Sequence, residues 1–361
     1  MTEAPKQQLG WVNILKGGCI LLVVLYHVVL PGFADTVPHL SSGQLPAKLW
    51  VGFNEILSPL RMPAFFFVSG LLAANAIINR PWKSVLTSRI TNLFYLYFLW
   101  GIIQWLMIGR VSGPLMGEHL SDNTNAAWAS SFAESLKLML LAMSSSWYLY
   151  ALGLFFLFAR LFRRYPFALL LVAVMMNYLA VGRLVPGWGP ESLLQYFVFF
   201  VLGAFYSEVI MRWSEWKPRN LLVWALLAVL AAGHIALGFN DNFFLCIVAI
   251  LFSVQLCRWL DRHFSMRIMK WTGRNTLQIY VLHRIFIEFF AMVAILLAGH
   301  YQLFANALFA WSWAALFPLL MVAISVGCSL VAWSLLNRGI GRTLFIYPRL
   351  LHRQSQVAKG A

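Results

Sequence analysis

Apolar runs of about twenty residues recur along this chain, separated by short polar connectors, and they set its architecture. A helix that crosses the hydrocarbon of a bilayer needs about 20 mostly apolar residues. By that measure spans are predicted near 10–31, 55–79, 84–108, 147–163, 166–184, 191–212, 219–238, 240–259, 276–298 and 309–336. The expected fold class is therefore all-α: a polytopic integral membrane protein with about ten transmembrane helices. One further apolar stretch, Ala129–Met143, is shorter and carries Glu134 and Lys137.

Charge decides how to treat that stretch. If it does not cross, one side of the membrane collects Lys6, then Arg80, Lys83 and Arg89, then Arg160, Arg163 and Arg164. The same side takes Arg212, Lys217 and Arg219, the cluster from Arg258 to Arg274, and the tail with Arg338, Arg342, Arg349, Arg353 and Lys359. If it does cross, Arg160–Arg164 move to the opposite side and the bias breaks. Basic residues mark cytoplasmic loops. Both termini are thus expected in the cytoplasm, with short tails 1–9 and 338–361, and residues 129–143 form an extra interfacial or re-entrant helix on the outer side. Two outer loops are long: Gly32–Asn54, with Asp35 and His39, and Ile108–Ser146, with Glu118, His119 and Asp122. Loops of that length in a compact protein are usually functional or disordered.

Composition agrees. Of the 361 residues, 61% are hydrophobic and 11% charged, and the mean hydropathy is +0.75, far from a soluble domain. A net charge of +15 in a soluble protein would suggest a polyanion partner. Here the basic residues sit in connectors between spans, so the expected partner is the lipid bilayer and no nucleic acid. Cys19, Cys246, Cys257 and Cys328 fall in or beside apolar runs without metal spacing, and read as small buried hydrophobes. No Ala-x-Ala-like site follows the first run, which is expected to be a retained span. The chain lacks a phosphate loop, a His-Glu-x-x-His and a Gly-x-Ser-x-Gly, and no metal site is predicted.

Several ionisable groups nevertheless lie inside the predicted spans, where they mark function by default. The first run, WVNILKGGCILLVVLYHVVLP, carries Lys16 and His27. They are eleven positions apart, almost three helical turns, so both project from one face roughly 16 Å apart. With the N-terminus inside, Lys16 lies low and His27 high. Arg61, entering the second span from outside, is placed at a similar height. An imidazole there can take a proton from a hydroxyl, and a guanidinium can stabilise an oxyanion. In the ninth span, NTLQIYVLHRIFIEFF, Arg284 and Glu288 are four apart and can pair as a structural ion pair. His283 is placed in its cytoplasmic half, where it can line the path of a donor. Arg89 begins the third span at the cytoplasmic interface, where an arginine fork suits phosphate. Ser69-Gly70 reads as a helix-packing element, and Trp147 and Tyr148 as part of an aromatic belt.

Four segments taken together resemble the acyltransferase-3 family of bacterial inner-membrane acyltransferases. They are Lys16 followed by His27 in the first span, RMPAFFFVSGLL in the second, SSSWYLYALG at the fourth and TGRNTLQIYVLHR at the ninth. The resemblance covers nearly the whole chain, so residues 1–361 are expected to form a single transmembrane domain of that kind. It implies transfer of an acyl group, often acetyl or succinyl, from cytoplasmic acyl-CoA to a hydroxyl of a saccharide or other envelope acceptor. His27 matches the histidine thought essential in the family, and Lys16 its basic partner. Where the family often has a second arginine three residues into the third span, Asn92 follows Arg89. Taking this resemblance together with the positions of the ionisable groups, His27 and Arg61 are the catalytic candidates, and Lys16, Arg89, Trp147, His283 and Arg284 the donor or substrate contacts. No bound cofactor is implied, acyl-CoA being a co-substrate.

The rival class is a transporter or flippase, with Lys16, His27, Arg61 and Glu288 along a translocation path. The absence of a visible inverted repeat weighs against it.

Overall fold

The computed structural model describes residues 10–113 and 124–348. Glu118, His119, Asp122, Lys6 and most of the C-terminal tail lie outside the described residues. Among those described there are helices and turns and no strand. In chain order the main helices are α1 (Gly10–Val28), α2 (Gln44–Ile56), α3 (Ser58–Ile78), α4 (Trp82–Val111) and α5 (Phe132–Leu140). Next come α6 (Trp147–Leu161), α7 (Pro166–Val181), α8 (Trp188–Phe205), α9 (Ser207–Trp213) and α10 (Pro218–Ala236). The last are α11 (Phe243–His263), α12 (Arg267–Arg274), α13 (Thr276–His300) and α14 (Ala307–Leu336).

Each of the ten predicted stretches contains a helix, but not every helix has the length of a span. Seven helices among the described residues are long and apolar enough to cross: α1, α3, α4, α10, α11, α13 and α14. An eighth crossing is obtained if α8 and α9, bent by 89° at Tyr206, act as one. α6 and α7 have 15 and 16 residues. At 1.5 Å per residue they measure about 23 Å, short of a hydrocarbon layer of roughly 30 Å. α5 is shorter still, with 9 residues. It does not have the length to cross, as expected of the 129–143 stretch. Its start is capped twice: the Ser131 hydroxyl accepts from the Glu134 amide, and the Glu134 carboxylate accepts from the Ser130 amide (2.8 Å) and hydroxyl (2.6 Å).

The chain divides into two compact units. The first comprises Met1–Ile20, Ser58–Phe94 and Tyr148–Thr276. Its most extensive helix packing is α3 against α8, and glycines make the close approach possible. A Cβ on Gly70 would stand 2.1 Å from the Phe200 carbonyl oxygen, and one on Gly203 would stand 1.9 Å from that of Phe67. Such backbone approach is how small residues hold membrane helices together. Phe65, Phe66, Tyr148, Phe155, Tyr196 and Phe200 pack around the crossing. Beside it the Ser69 hydroxyl donates to the Phe65 carbonyl (2.9 Å), so the Tyr148 hydroxyl donates to Ser69 (2.5 Å). The Ser69-Gly70 element is therefore a packing site, as its small side chains suggested. A second reciprocal pair, Gly17 and Gly273, brings α1 and α12 together: their Cβ atoms would meet the Met269 and Asn13 carbonyl oxygens at 2.2 and 1.9 Å.

Some of the basic residues in the connectors also close helix ends. Arg160 is buried and donates to the Ile77, Ile78 and Arg80 carbonyls, groups that the end of α3 leaves without helical partners. Arg163 adds a bond to Ile78 (3.0 Å). Lys270 pairs with Asp261 (2.6 Å).

The second unit comprises Leu21–Leu57, Tyr95–Trp147 and Leu277–Ala361. The long Gly32–Asn54 loop is largely helical and is tied to α14. The Ser41 amide donates to the Phe304 carbonyl (3.1 Å), the Ser42 hydroxyl to Ala307 (2.6 Å), and the Trp50 indole to Ala315 (3.3 Å). Trp313 donates to Thr36 (3.1 Å). Leu45, Leu49, Phe53 and Ile56 stay exposed along one side of α2, at the spacing of an apolar stripe facing lipid.

Candidate active site

α13 builds the site. Its residues Tyr280, Arg284 and Glu288 recur every four positions and so share one face, with His283 beside them. All are buried; His283 is 1% exposed, Arg284 5% and Glu288 3%. Arg284 Nη2 forms an ion pair with Glu288 Oε1 on the same helix. Leaving either charge alone at this depth is strongly unfavourable, so each explains the other's presence.

The pair does more than neutralise itself. Arg284 Nη1 lies 3.2 Å from Nδ1 of His27. A guanidinium has only donors, so Nδ1 of His27 is the acceptor and the neutral ring carries its proton on Nε2. The His27 and His283 rings stand 5.4 Å apart between centroids. Nδ1 of His283 is 2.8 Å from the Tyr280 carbonyl and 3.0 Å from that of Ile279. Carbonyls only accept, so this ring holds its proton on Nδ1 and has its lone pair on Nε2. That Nε2 is buried and has no hydrogen-bond partner among the described residues.

Surrounding groups hold α13 in place. The Tyr280 hydroxyl donates to the Ser145 carbonyl (3.1 Å), and Gln104 donates to the Val281 carbonyl (3.0 Å). Ser146 in turn donates to the Gln104 side-chain oxygen (3.1 Å). The SSSW segment thus connects α4 to α13. The Trp128 ring lies under the Arg284 guanidinium, 5.7 Å from centre to Cζ, in a cation–π arrangement. Trp128 comes from the long Ile108–Ser146 loop, whose length was a functional signal although the residue itself carried none.

The predicted site residues divide between the two units. His27, Trp147, His283, Arg284 and Glu288 belong to the second, and all but Trp147 meet in the cluster just described. Trp147 is half-buried at the start of α6. Lys16, Arg61 and Arg89 belong to the first unit. Lys16 is half-buried on α1, Arg61 is buried in α3, and Arg89 is exposed on α4. One expectation is corrected. His283 does not lie in the opposite half of the membrane from His27, because the two rings are neighbours. Counting residues from span ends assumes upright helices with flush ends, and it misplaces a side chain when the helices start at different heights. Among the described residues no group of three His, Cys, Asp or Glu is placed to hold a metal ion.

The chain is thus an integral membrane protein in which two histidines, an arginine and a glutamate come together on apolar helices. Residues 9–337 match the family described as acyltransferase domain, and the chain belongs to this acyltransferase-3 family. It is 35% identical over 298 residues to the protein named inner membrane protein YcfT of Escherichia coli (strain K12), covering 80% of this chain and 82% of that one. No solved structure matches.

Proposed function

We propose that this membrane acyltransferase moves an acyl group, of the acetyl or succinyl class, from cytoplasmic acyl-CoA to a hydroxyl of a saccharide or another cell-envelope acceptor. Family membership supports acyl transfer. The observation that carries the site is the contact of His27 with Arg284, itself paired with Glu288, on the same helix as His283.

Acyl transfer from a thioester to an alcohol needs a group to take the hydroxyl proton and a donor for the charge that develops on the carbonyl oxygen. The imidazole cluster around His27 is the candidate for this chemistry, and His27 was the sequence's first choice for the base. Lys16, Arg61 and Arg89 remain candidates for the donor's charged groups, with Arg61 also a candidate oxyanion partner and Trp147 a substrate contact. Bacterial inner-membrane placement with both termini cytoplasmic accords with the connector charges and with the name of the Escherichia coli relative.

The experiment is transfer of labelled acetyl from acetyl-CoA by the purified protein in detergent, with envelope extracts as acceptor. Mass spectrometry of the product identifies acyl group and acceptor together. Covalent transfer without a membrane gradient is expected; full activity of His27→Ala would remove this cluster from the chemistry.

A further inference from the structure

Beside α2 lies a groove separate from the histidine cluster, and we infer that it holds the headgroup of a zwitterionic phospholipid of the phosphoethanolamine class. The phosphate meets Lys48 and the ammonium meets Glu55.

The groove has a volume of about 510 Å³, within the range of small-ligand sites. Ala34, Val37 and Pro38 form one wall, and Gln44, Lys48, Gly52 and Glu55 of α2 line the other. Both walls are fastened to α14. Thr36 accepts from the Trp313 indole (3.1 Å) and Phe33 stacks on Phe317, while the Trp50 indole donates to the Ala315 carbonyl (3.3 Å). The groove is thus a built feature rather than a gap between loose segments.

At about 100° per residue, α2 has three faces. Ala47 and Asn54 are buried on the side turned to the protein, and Leu45, Leu49, Phe53 and Ile56 are exposed on the side read as facing lipid. Gln44, Lys48, Gly52 and Glu55 fall between the two. The groove therefore runs along the boundary of protein and bilayer, at the level where an interfacial helix meets headgroups.

Gly52 is an independent sign of an occupant. A Cβ there would meet no atom within 4 Å, whereas neighbouring backbone forbids one on Gly70 or Gly203. Glycine in the middle of a helix weakens it, and no packing contact requires one here. Placed between Lys48 and Glu55, it keeps the floor of the groove open for a molecule from outside the chain.

Charge selects that molecule. Among the described residues neither Lys48 nor Glu55 has an ion-pair partner. They are seven positions apart, almost two whole turns, so both lie on the groove face about 10 Å apart along the axis. Charge-assisted contacts of about 2.8 Å at each end leave roughly 5 Å between them. A phosphate joined to an ammonium through two methylenes spans about that length at ordinary bond lengths. The Gln44 amide, one turn before Lys48, gives one hydrogen to the Leu40 carbonyl (3.4 Å) and has a second for the phosphate. An anionic headgroup would satisfy Lys48 and leave Glu55 facing negative charge. A lipid with both charges satisfies both, and its acyl chains pass along the exposed apolar side of α2.

The test needs no acyl-CoA and is independent of the transfer reaction. Purified full-length protein in detergent is titrated with dioleoylphosphatidylethanolamine or dioleoylphosphatidylglycerol, and the first lipid bound is followed by native mass spectrometry. The wild type is expected to hold the ethanolamine lipid about 10-fold more tightly than the glycerol lipid. Glu55→Gln should weaken the ethanolamine lipid about 10-fold and leave the glycerol lipid unchanged, whereas Lys48→Gln should weaken both. Gly52→Leu fills the groove and should cost about 10-fold or more on the ethanolamine lipid with no fall in the thermal midpoint. No preference in the wild type, equal losses on both lipids in Glu55→Gln, or wild-type binding by Gly52→Leu would each overturn the inference. Should a variant fail to fold, the wild type alone decides. An ethanolamine lipid with a photoreactive group beside its phosphate is expected to cross-link within residues 34–55, and cross-links confined to other segments would overturn the assignment.

Discussion

Arg284 and His27 stand 257 positions apart in the chain, and a guanidinium nitrogen of one lies 3.2 Å from Nδ1 of the other. The imidazole is thereby held by a cation that is itself held by Glu288. An arginine in this place fixes which ring nitrogen carries the proton, something a carboxylate partner would do in the opposite sense.

Breaking the Arg284–Glu288 pair should separate stability from activity. Glu288→Ala leaves an unpaired buried cation and is expected to lower stability by about 3–5 kcal/mol, read as a fall in the thermal midpoint in detergent. The double variant Arg284→Met with Glu288→Leu is expected to recover much of that stability, because neither charge remains to be buried alone. It should not recover acyl transfer, since the Arg284 contact to His27 is lost. Recovery of both would make the pair a packing feature only.

The α3–α8 crossing has no room for a side chain. Gly70→Val and Gly203→Val each push a carbon into a backbone carbonyl rather than into a movable side chain. A loss of about 1–3 kcal/mol or more is expected, seen as a lower melting midpoint and poorer recovery from membranes. Gly18→Ala serves as the control, because nothing lies within 4 Å of a Cβ there.

Arg160 holds three carbonyls at the end of α3. Arg160→Met is expected to destabilise the protein by about 1–3 kcal/mol, as the orphaned carbonyls are left buried. Arg160→Lys should restore only part of this, since a single ammonium cannot reproduce the planar fork. Unchanged midpoints in both variants would limit Arg160 to a topological role.

Glu134 caps the exposed start of α5, and its hydrogen bonds from Ser130 hold its carboxyl below the ordinary glutamate range. A depressed carboxylate lends stability above its unfolded pKa and loses it as the pH falls through the folded one. A spin label near Phe132 should therefore gain mobility as the pH drops below about 4, the ordinary glutamate region. Glu134→Gln should remove that pH dependence.

Much of the architecture was legible in residue order alone. Long apolar runs have few solutions in lipid, where every backbone polar group must be bonded internally, so helices and their positions follow from composition. Charge in the connectors likewise kept the nine-residue α5 out of the count of spans, and Lys16, His27 and the HR pair of α13 marked where chemistry concentrates. Helix lengths were less readable: α6, α7 and the 89° bend between α8 and α9 depend on where neighbours let a helix stop.

What only the tertiary structure decided is which polar groups meet. Depth counted along separate helices set His27 and His283 in different halves, yet their rings are 5.4 Å apart. Lipid selects for helix formation residue by residue, which local sequence records. Pairings such as Arg284 with His27, or Trp128 under Arg284, arise from the tilt and offset of packed helices. Those depend on interdigitating side chains hundreds of positions apart, and no single stretch of sequence contains them.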